Sequence, residues 1–392
     1  MALTKVPFSM ISGAPVSVLD YGADPTGATD STAAIQNAIN YASPLRRQVY
    51  LCGGKFKISS ALELKNFTSL DGGTLLVNAD VPAIDNPSGS AVLYCTLSNL
   101  RIASLVTTTS SAMLLRDVSR STVRNILIDR ETAGTGFGVA IKLRSASSVC
   151  YWNEIFNVEA TNITGAFISI ENGANENYLY GVKLVNDAAY NPIYGINFDN
   201  GSGNRVYGAS LEAQFGVPAG ALGYAIRFGS GAVFNSVFGT RTENYVSGNA
   251  YGVYWAGGTN NTVIGHYNGG NIANTYGNQT GNTYIPGGDN LSAPDMVAGV
   301  AGAADGQFKL ARISDGSIVG QIEWLSASDT VQYNNANGGP HNFSVNGTNY
   351  FSVNAAGVQF INHSVSATAG ALQGYMTVSV NGFNRKIPYY AP

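Results

Sequence analysis

The chain alternates short apolar segments with turns rich in glycine and asparagine over most of its length. One early segment is different, because apolar residues recur at i, i+3, i+4 and i+7 over residues 35–42, behind N-cap residues at 29–31. This pattern predicts an amphipathic helix that ends near Pro44. A strand is predicted before it over residues 16–23, followed by a turn at 24–27, where aspartate, proline and glycine stand together.

A repeating unit follows, in which an asparagine precedes a short strand of alternating apolar residues. Its copies begin at Asn153, Asn177, Asn204, Asn235, Asn261 and Asn282. Their spacings of 24, 27, 31, 26 and 21 residues are typical of a solenoid whose coils bury their inner faces against one another. Equivalent side chains of stacked strands lie roughly 4.8 Å apart, so the asparagines are expected to form a ladder of amide hydrogen bonds. The sequence therefore predicts a parallel β-helix over residues 16–288.

Residues 289–392 have a different pattern, with period-two strands separated by Asn-Gly and Ala-Gly turns. We interpret this part as a separate antiparallel β domain. Short strands that alternate in this way need partner chains to cover them, which indicates an oligomer.

The composition narrows the classes of partner. Charged residues make up 11% of the chain, against roughly 25% in typical soluble domains. A net charge of −3 gives no electrostatic reason to bind nucleic acid or an anionic membrane, and no segment is apolar enough to span one. The 22 tyrosines and the many asparagines suit sugars, because rings stack on C–H groups and amides bond hydroxyls. The alternative is that these residues only fill the solenoid.

The chain offers little for metal or redox chemistry. The cysteines, Cys52, Cys95 and Cys150, are odd in number and far apart, so we expect free, buried thiols in a protein assembled in a reducing cytoplasm. His266 stands alone in the solenoid, and a lone histidine is more often structural. No ligand spacing or phosphate-binding loop is present, so no metal and no cofactor are predicted.

Four segments of the chain resemble segments of known proteins. The string VSVLDYGADPTGATDSTAAIQNAI, residues 16–39, resembles the opening of the pectate-lyase-like β-helix superfamily as found in phage tailspikes. Residues 49–56 resemble its next segment, which usually has proline where this chain has Cys52. The first residues, LTKVPFSMISGA, and the last, GYMTVSVNGFNRKIPYYA, are similar to the ends of phage tail proteins.

This resemblance implies an all-β, right-handed parallel β-helix with an N-terminal capping helix. It also implies a homotrimer that is locked by a C-terminal β domain for trimerisation or receptor binding. The expected role is that of a tailspike or tail-fibre subunit of a phage virion, which is assembled in the host cytoplasm and binds a bacterial surface polysaccharide without inserting into a membrane. The family's large head domain is absent, so residues 1–15, or an adaptor protein, are expected to attach the subunit to the tail or baseplate.

Members of that family often cleave the glycan they bind. Hydrolysis needs two carboxyl groups about 5 Å apart for retention, or about 6.5–9.5 Å apart for inversion. Glu212 and Glu243 each follow their coil's asparagine by eight residues, so we expect them to stack on adjacent coils, with Arg241 and Asp199 nearby. A hydrolase is favoured over a lyase because the coils hold few basic residues. The alternatives are that these carboxylates are solvated or paired with arginines, and that the chain is an adhesive fibre without catalysis.

Aromatic residues late in the solenoid are the candidate sugar-binding groups: Trp255, Tyr245, Tyr254 and Tyr267. Trp255, just before two glycines, is expected to form an exposed platform. The alternative is that it packs in the core or in a subunit interface.

Overall fold

The computed structural model describes residues 13–87, 89–186, 194–213, 222–243, 249–269, 273–277 and 281–286, together with strands between residues 306 and 390. The chain divides into two compact units, residues 1–301 and residues 302–392.

The first unit is a parallel β-solenoid of the right-handed type, in which the chain passes repeatedly through the same two sheets. The larger sheet has 16 strands: Val16–Ser17, Thr26–Asp30, Gln48–Tyr50, Lys55–Ile58, Ser69–Val77, Thr96–Ser104, Thr122–Arg130, Glu154–Ala160, Tyr178–Tyr180, Lys183–Asn186, Arg205–Tyr207, Ser210–Ala213, Ser236–Phe238, Arg241–Glu243, Thr262–Gly269 and Thr283–Pro286. The smaller sheet has nine: Leu62–Glu63, Ile84–Asp85, Ser111–Arg116, Phe137–Arg144, Ile163–Glu171, Tyr194–Phe198, Leu222–Phe228, Asn249–Trp255 and Ala273–Gly277. Two further parallel pairs lie at the turns: Val92–Leu93 with Val118–Ser119, and Ala174–Asn175 with Gly201–Ser202.

The helix predicted from apolar periodicity spans Thr32–Ala42 and buries its apolar face. Its first turn is capped by Asp30, whose carboxylate accepts a 2.9 Å hydrogen bond from the backbone N–H of Thr32. Ser31 instead accepts a hydrogen bond from the backbone N–H of Asp24. In the described part of the chain, no helix has the length and apolar character needed to cross a membrane.

The strand predicted over residues 16–23 is shorter in the structure, where it covers only Val16–Ser17. Val18–Tyr21 form a 3-10 helix, because the hydroxyl of Ser17 accepts a hydrogen bond from the backbone N–H of Leu19 and Gly22 ends the turn at a φ of 85°. The expected Asp24 turn follows. The Asp24 carboxylate accepts hydrogen bonds from the backbone N–H groups of Thr26 and Thr29.

The core consists of apolar columns that continue from coil to coil. One column of the larger sheet contains Val49, Leu70, Leu97, Val123, Ile155, Leu179, Val206, Val237 and Val263, which are aligned in strand register. A column of the smaller sheet contains Met113, Ile141, Ile168, Ile196, Ile226 and Val253. Every one of these residues is at most 1% exposed. Full burial of such a side chain is worth roughly 1.5–3 kcal/mol, so the columns supply much of the stability of each coil.

The predicted asparagine ladder is present in the structure. Its six members are at most 3% exposed. The side-chain Nδ2 of each of the first five donates to the Oδ1 of the next member at 2.9–3.0 Å, and that Oδ1 also accepts the preceding member's backbone N–H. The same Nδ2 groups also donate to backbone carbonyls. The ladder thus satisfies the buried polar groups of a bend in every coil from Asn153 onward.

The earlier coils place other small side chains at the same position, directly before the aligned strands. They are Thr68, Cys95 and Ser121. The Ser121 hydroxyl accepts from the backbone N–H of Cys95, and Ser121 in turn donates its own N–H to Asn153 Oδ1. The ladder position is therefore polar or small along the whole solenoid, although only its later members are asparagine.

The three cysteines are free, as predicted, but only Cys95 and Cys150 are buried. Burial raises the pKa of Cys95 to about 11 and the pKa of Cys150 to about 12. Cys52 is half-buried because it lies in the turn after Gln48–Tyr50, and its thiol lies 3.3 Å from the Ser17 hydroxyl.

The residue just before each ladder position turns the chain with a left-handed φ. These residues are Phe67, Tyr94, Arg120, Trp152, Glu176, Gly203, Phe234, Asn260 and Gly281. We call the first five of them, Phe67 to Glu176, the bend row. Because the backbone reverses direction here, their side chains leave the core, whereas those of the ladder residues enter it.

The second unit contains antiparallel strands. Three form one sheet, Gly306–Leu310, Gly320–Leu325 and Thr330–Asn334; three form another, His341–Val345, Thr348–Asn354 and Gly357–Phe360; and Leu372–Val380 pairs with Phe383–Tyr390. Their antiparallel pairing is the arrangement typical of the period-two pattern in this part of the sequence.

The late coils enclose a polar side-chain network around His266. This imidazole is 1% exposed, and its Nε2 and Nδ1 lie 2.7 Å and 2.9 Å from the hydroxyls of Thr242 and Tyr284. Burial lowers the pKa of His266 to about 4. The histidine is therefore a structural residue of the core that stays neutral at physiological pH.

Substitution of one ladder member is expected to destabilise the solenoid. Asn204→Ala removes the acceptor of Asn177 Nδ2 and of the Asn177 backbone N–H, both buried. An unmatched buried donor costs about 1–3 kcal/mol, so the urea midpoint should fall clearly. The matched control is Asn37→Ala, an exposed position of the helix, which should leave the midpoint unchanged or slightly higher. Equal midpoints for the two variants would contradict the role of the ladder.

Acidification should destabilise the wild-type protein through His266. The unfolded histidine has a pKa of about 6.5 and the folded one of about 4, so the unfolded state binds the proton first. Its stability contribution is complete above pH 6.5 and is lost as the pH falls towards 4, which amounts to about 2–3 kcal/mol between pH 7.5 and 4.5. Urea unfolding across this range should show a smaller loss for His266→Gln than for wild type. Parallel pH profiles for the two proteins would refute the assignment.

Candidate functional site

Glu212 and Glu243 lie side by side on neighbouring coils. The strands Ser210–Ala213 and Arg241–Glu243 are parallel, and their register places the two glutamates directly opposite each other. The preceding residues, Leu211 and Thr242, are buried, so by alternation the glutamates belong to the outer face, where both are half-buried. Strand neighbours are roughly 4.8 Å apart, so the two carboxyl groups emerge one coil apart on the same surface.

Arg241 and Tyr267 complete this patch. Arg241 lies two residues before Glu243 on the same face of the strand, and its guanidinium forms an ion pair with the Glu243 carboxylate. Tyr267 is aligned with Arg241 on the next coil and is 42% exposed. We call Glu212, Glu243, Arg241 and Tyr267 the carboxylate patch. It brings together two oxygen acids, a guanidinium and an exposed phenol ring.

Asp199 does not belong to the carboxylate patch, contrary to the expectation from sequence. It follows Tyr194–Phe198 in the smaller sheet, and the strand Arg205–Tyr207 separates it from Glu212 along the coil. Its carboxylate accepts a 2.8 Å hydrogen bond from the guanidinium of Arg227. Asp199 is thus part of an ion pair at a different edge of the solenoid.

The predicted exposed platform at Trp255 is corrected by its burial. Trp255 is 1% exposed and stacks on Phe228, with a centroid distance of 4.6 Å; Phe228 stacks on Phe198 at 4.9 Å. The indole belongs to the inner face because Val253, two residues earlier, is also buried. Trp255 therefore packs in the core of the solenoid, which was the alternative to an exposed platform.

The other two aromatic candidates lie apart from the patch or outside what the structure describes. Tyr254 lies in the smaller sheet, where its ring stacks on Tyr224 at a centroid distance of 4.1 Å. Tyr245 lies outside the described residues. Among the four predicted aromatics, Tyr267 is therefore the one that the structure places beside the glutamates.

A row of half-exposed rings on the larger sheet was not anticipated from the sequence. It contains Phe156, Tyr180, Tyr207 and Phe238, whose centroids are 4.8, 5.1 and 5.2 Å apart from one coil to the next. Each ring lies three residues after a ladder asparagine, which is the signal that could have identified it. Tyr207 and Phe238 lie on the same coils of the larger sheet as Glu212 and Glu243, so this row of rings and the carboxylate patch share two coils.

The patch has the components for recognising and hydrolysing a sugar. A separation of about 5–5.5 Å between two carboxyl groups is the arrangement of retaining glycosidases, and the backbones of the two glutamates are one strand spacing, roughly 4.8 Å, apart. Rings and guanidinium groups supply the contacts that sugars use for binding. Among the described residues, no group of three or more histidine, cysteine or acidic side chains is arranged to hold a metal ion.

Comparison with known proteins places the fold in context. A family model described as rhamnogalacturonase A/epimerase, pectate lyase-like, matches residues 15–205, which include the opening string noted in the sequence. No curated protein matches the chain.

Solved structures with similar folds include several from phages. A Geobacillus virus E2 structure, ORF18, has a TM-score of 0.52 at 14% identity, with 95% of this chain and 86% of that chain covered. The phiAB6 tailspike, solved with oligosaccharides of the Acinetobacter baumannii surface polysaccharide, has a TM-score of 0.50 at 13% identity, with coverages of 98% and 68%. The gp42 tailspike of Acinetobacter phage vb_AbaP_AS12 has a TM-score of 0.50 at 16% identity, and the match covers 65% of this chain but only 45% of that tailspike. These structures share the β-solenoid fold.

Proposed function

We propose that the chain is a subunit of a phage-type tailspike or tail fibre that binds a bacterial surface polysaccharide. The observation that carries the proposal is the carboxylate patch, because it combines paired acids, a guanidinium and an exposed ring on the outer face of a solenoid. The low content of charged residues supports a glycan over a nucleic acid as the partner. The phage tailspikes of the same fold, one of them solved with surface oligosaccharides, support the biological setting.

We also propose how the subunit assembles. Three copies of the chain associate, and the antiparallel strands of residues 289–392 contribute to trimerisation or receptor binding. Residues 1–15, or an adaptor protein, join the subunit to the virion tail. The segments at both ends of the sequence that resemble phage tail proteins support this arrangement.

Cleavage of the bound polysaccharide is a second candidate function, favoured by the register of Glu212 and Glu243. In this mechanism Glu243, oriented by Arg241, attacks the anomeric carbon and forms a glycosyl ester, while Glu212 donates a proton to the leaving glycosidic oxygen. Glu212 then takes a proton from water, which attacks the same carbon and releases Glu243. The competing function is adhesion alone, in which the same patch holds the polymer without breaking it.

The test is incubation of the purified protein with capsule and O-antigen polysaccharides from a panel of hosts, with binding and fragment size measured over time. A hydrolase should release discrete oligosaccharides, and Glu212→Gln/Glu243→Gln should lower the rate at least about a hundredfold, because both acid and nucleophile are lost. The matched control is Glu154→Gln/Glu159→Gln, two exposed glutamates of the same sheet, which should cleave normally.

Binding is tested separately from cleavage with Arg241→Gln/Tyr267→Ala. A charge-assisted hydrogen bond is worth about 1.5–3 kcal/mol, so the affinity for the bound polysaccharide should fall at least about tenfold. Binding without shortening of the polymer would establish the adhesin and exclude the hydrolase. Cleavage that persists in the double glutamine variant would place the reaction elsewhere, and the absence of binding across the panel would overturn the proposed function.

A further inference from the structure

The bend row is unusual because bulky side chains occupy a backbone conformation that favours glycine. Phe67, Tyr94 and Trp152 have φ values of 64°, 62° and 56°. A positive φ crowds the Cβ atom against the backbone, and for bulky residues it is a genuine outlier. The same bend position in later coils holds Gly203 and Gly281, which take this conformation without strain, but also Phe234 and Asn260.

Burial does not explain these residues. Tyr94 is 46% exposed and Trp152 is 45% exposed, so the core gains little from either ring. Strain and exposure alone do not identify a binding surface, since Phe234 at the same bend has a φ of 56° and is 61% exposed. Tyr94 and Trp152 differ in that the Arg120 guanidinium lies within 6.0 Å and 4.7 Å of their ring centroids.

Two arginines contact the rings of the row. The Arg46 guanidinium lies 4.1 Å from the centroid of Phe67, whose ring stacks on Tyr94 at 5.5 Å. Arg120 donates a 3.1 Å hydrogen bond to the Tyr94 hydroxyl, and its guanidinium lies 4.7 Å from the Trp152 ring. Glu176, at the other end of the row, accepts a hydrogen bond from the Trp152 indole N–H. The part of the row from Arg46 to Arg120 is therefore the part that favours an anionic ligand, because its rings lie between two guanidinium groups.

A groove of about 590 Å³ adjoins the first ring of the row, next to the end of the helix Thr32–Ala42. Its lining includes Arg46, Lys65, Asn40, Asn66 and Phe67. It thus offers two cations, two amides and one ring. At its edge, Glu63 forms a 2.8 Å ion pair with Lys65, which an entering carboxylate would have to displace or share.

We propose that this groove and the bend row form a binding site for an acidic saccharide. A sugar carboxylate would bind at Arg46 and Lys65, the amides of Asn40 and Asn66 would bond its hydroxyls, and the chain would extend along Tyr94 towards Arg120. Guanidinium groups suit carboxylates because their paired N–H donors match the two oxygens. The site lies on other coils than the carboxylate patch, and the inference rests on the proposed function only in taking a glycan as the ligand.

The test uses variants that separate binding from folding. Tyr94→Gly removes the ring but relieves the left-handed φ of 62°, so the unfolding midpoint should hold or rise while affinity for the saccharide falls at least fivefold. Phe234→Gly is the matched control, because Phe234 occupies the same bend position with a φ of 56° and is 61% exposed, but lies beyond the row. It should change stability in the same direction and leave binding intact. Arg46→Gln and Arg120→Gln should each weaken binding at least fivefold.

The measurement is titration calorimetry with oligogalacturonate, with an oligomer of sialic acid and with carboxyl-reduced, neutral oligogalacturonate, alongside the mass of the assembly by light scattering. At least one acidic oligomer should bind, and the neutral one should bind at least tenfold more weakly. Equal binding of the neutral oligomer, or no binding of either acidic one, would overturn the proposal. So would a change of assembly mass in Tyr94→Gly, because the row would then be a contact between copies of the chain.

Comparison with Glu212→Gln/Glu243→Gln keeps the two sites distinct. The glutamine variant should bind the acidic oligomer like wild type. If it loses that binding while Tyr94→Gly keeps it, the carboxylate patch binds the oligomer and the bend-row site does not exist. If the host polysaccharide panel gives no binding but the acidic oligomers bind through the row, the proposed function fails while this site stands.

Discussion

The alignment of one coil with the next is the constraint on which the rest of the structure depends. The coils differ in length, since successive ladder asparagines are 24, 27, 31, 26 and 21 residues apart. Backbone pairing alone does not choose among registers as firmly as a buried polar group does, because a slip would leave the amides of the ladder without partners in the core. Asn204 and Asn235 are 31 residues apart, as are Glu212 and Glu243, so the amide contact that aligns these two coils also aligns the two glutamates.

The same alignment places similar side chains next to each other on neighbouring coils. This is favourable for apolar side chains in the core and unfavourable for like charges on the surface. Valine, leucine and isoleucine columns gain from repetition because each buries its neighbour. Two glutamates at one strand spacing repel each other, and an opposite charge is needed to offset the repulsion. Arg241 provides that charge through its ion pair with Glu243. A carboxylate pair on such a surface therefore costs stability locally, and its presence with a guanidinium beside it favours a functional explanation.

The sequence predicted those features that local periodicity encodes. The helix, the ladder from Asn153 onward and the offset of eight residues that pairs Glu212 with Glu243 all follow from spacing. The early ladder members, Thr68, Cys95 and Ser121, were missed because they share a position rather than a residue type. Trp255 was misassigned because the glycines near it suggested exposure. It lies two residues after the buried Val253 in the same strand, so its side chain points to the same inner face of the sheet. Asp199 was expected near Glu212 for a third reason: the number of residues between two positions of a coil does not show which sheet each of them joins.

The bend row could not have been found from composition, because it depends on a backbone angle that the sequence does not display. A left-handed residue with a side chain costs roughly 1–2 kcal/mol, and glycine avoids that cost. Along one bend, this solenoid uses glycine at residues 203 and 281 but aromatic residues at 67, 94, 152 and 234. The outer faces of the strands could have carried aromatic groups without strain, as Phe156 and Tyr180 do. An unstrained alternative therefore existed, and what favours a binding surface on the early coils is that the strained Phe67 lines the cationic groove, with Tyr94 stacked on it.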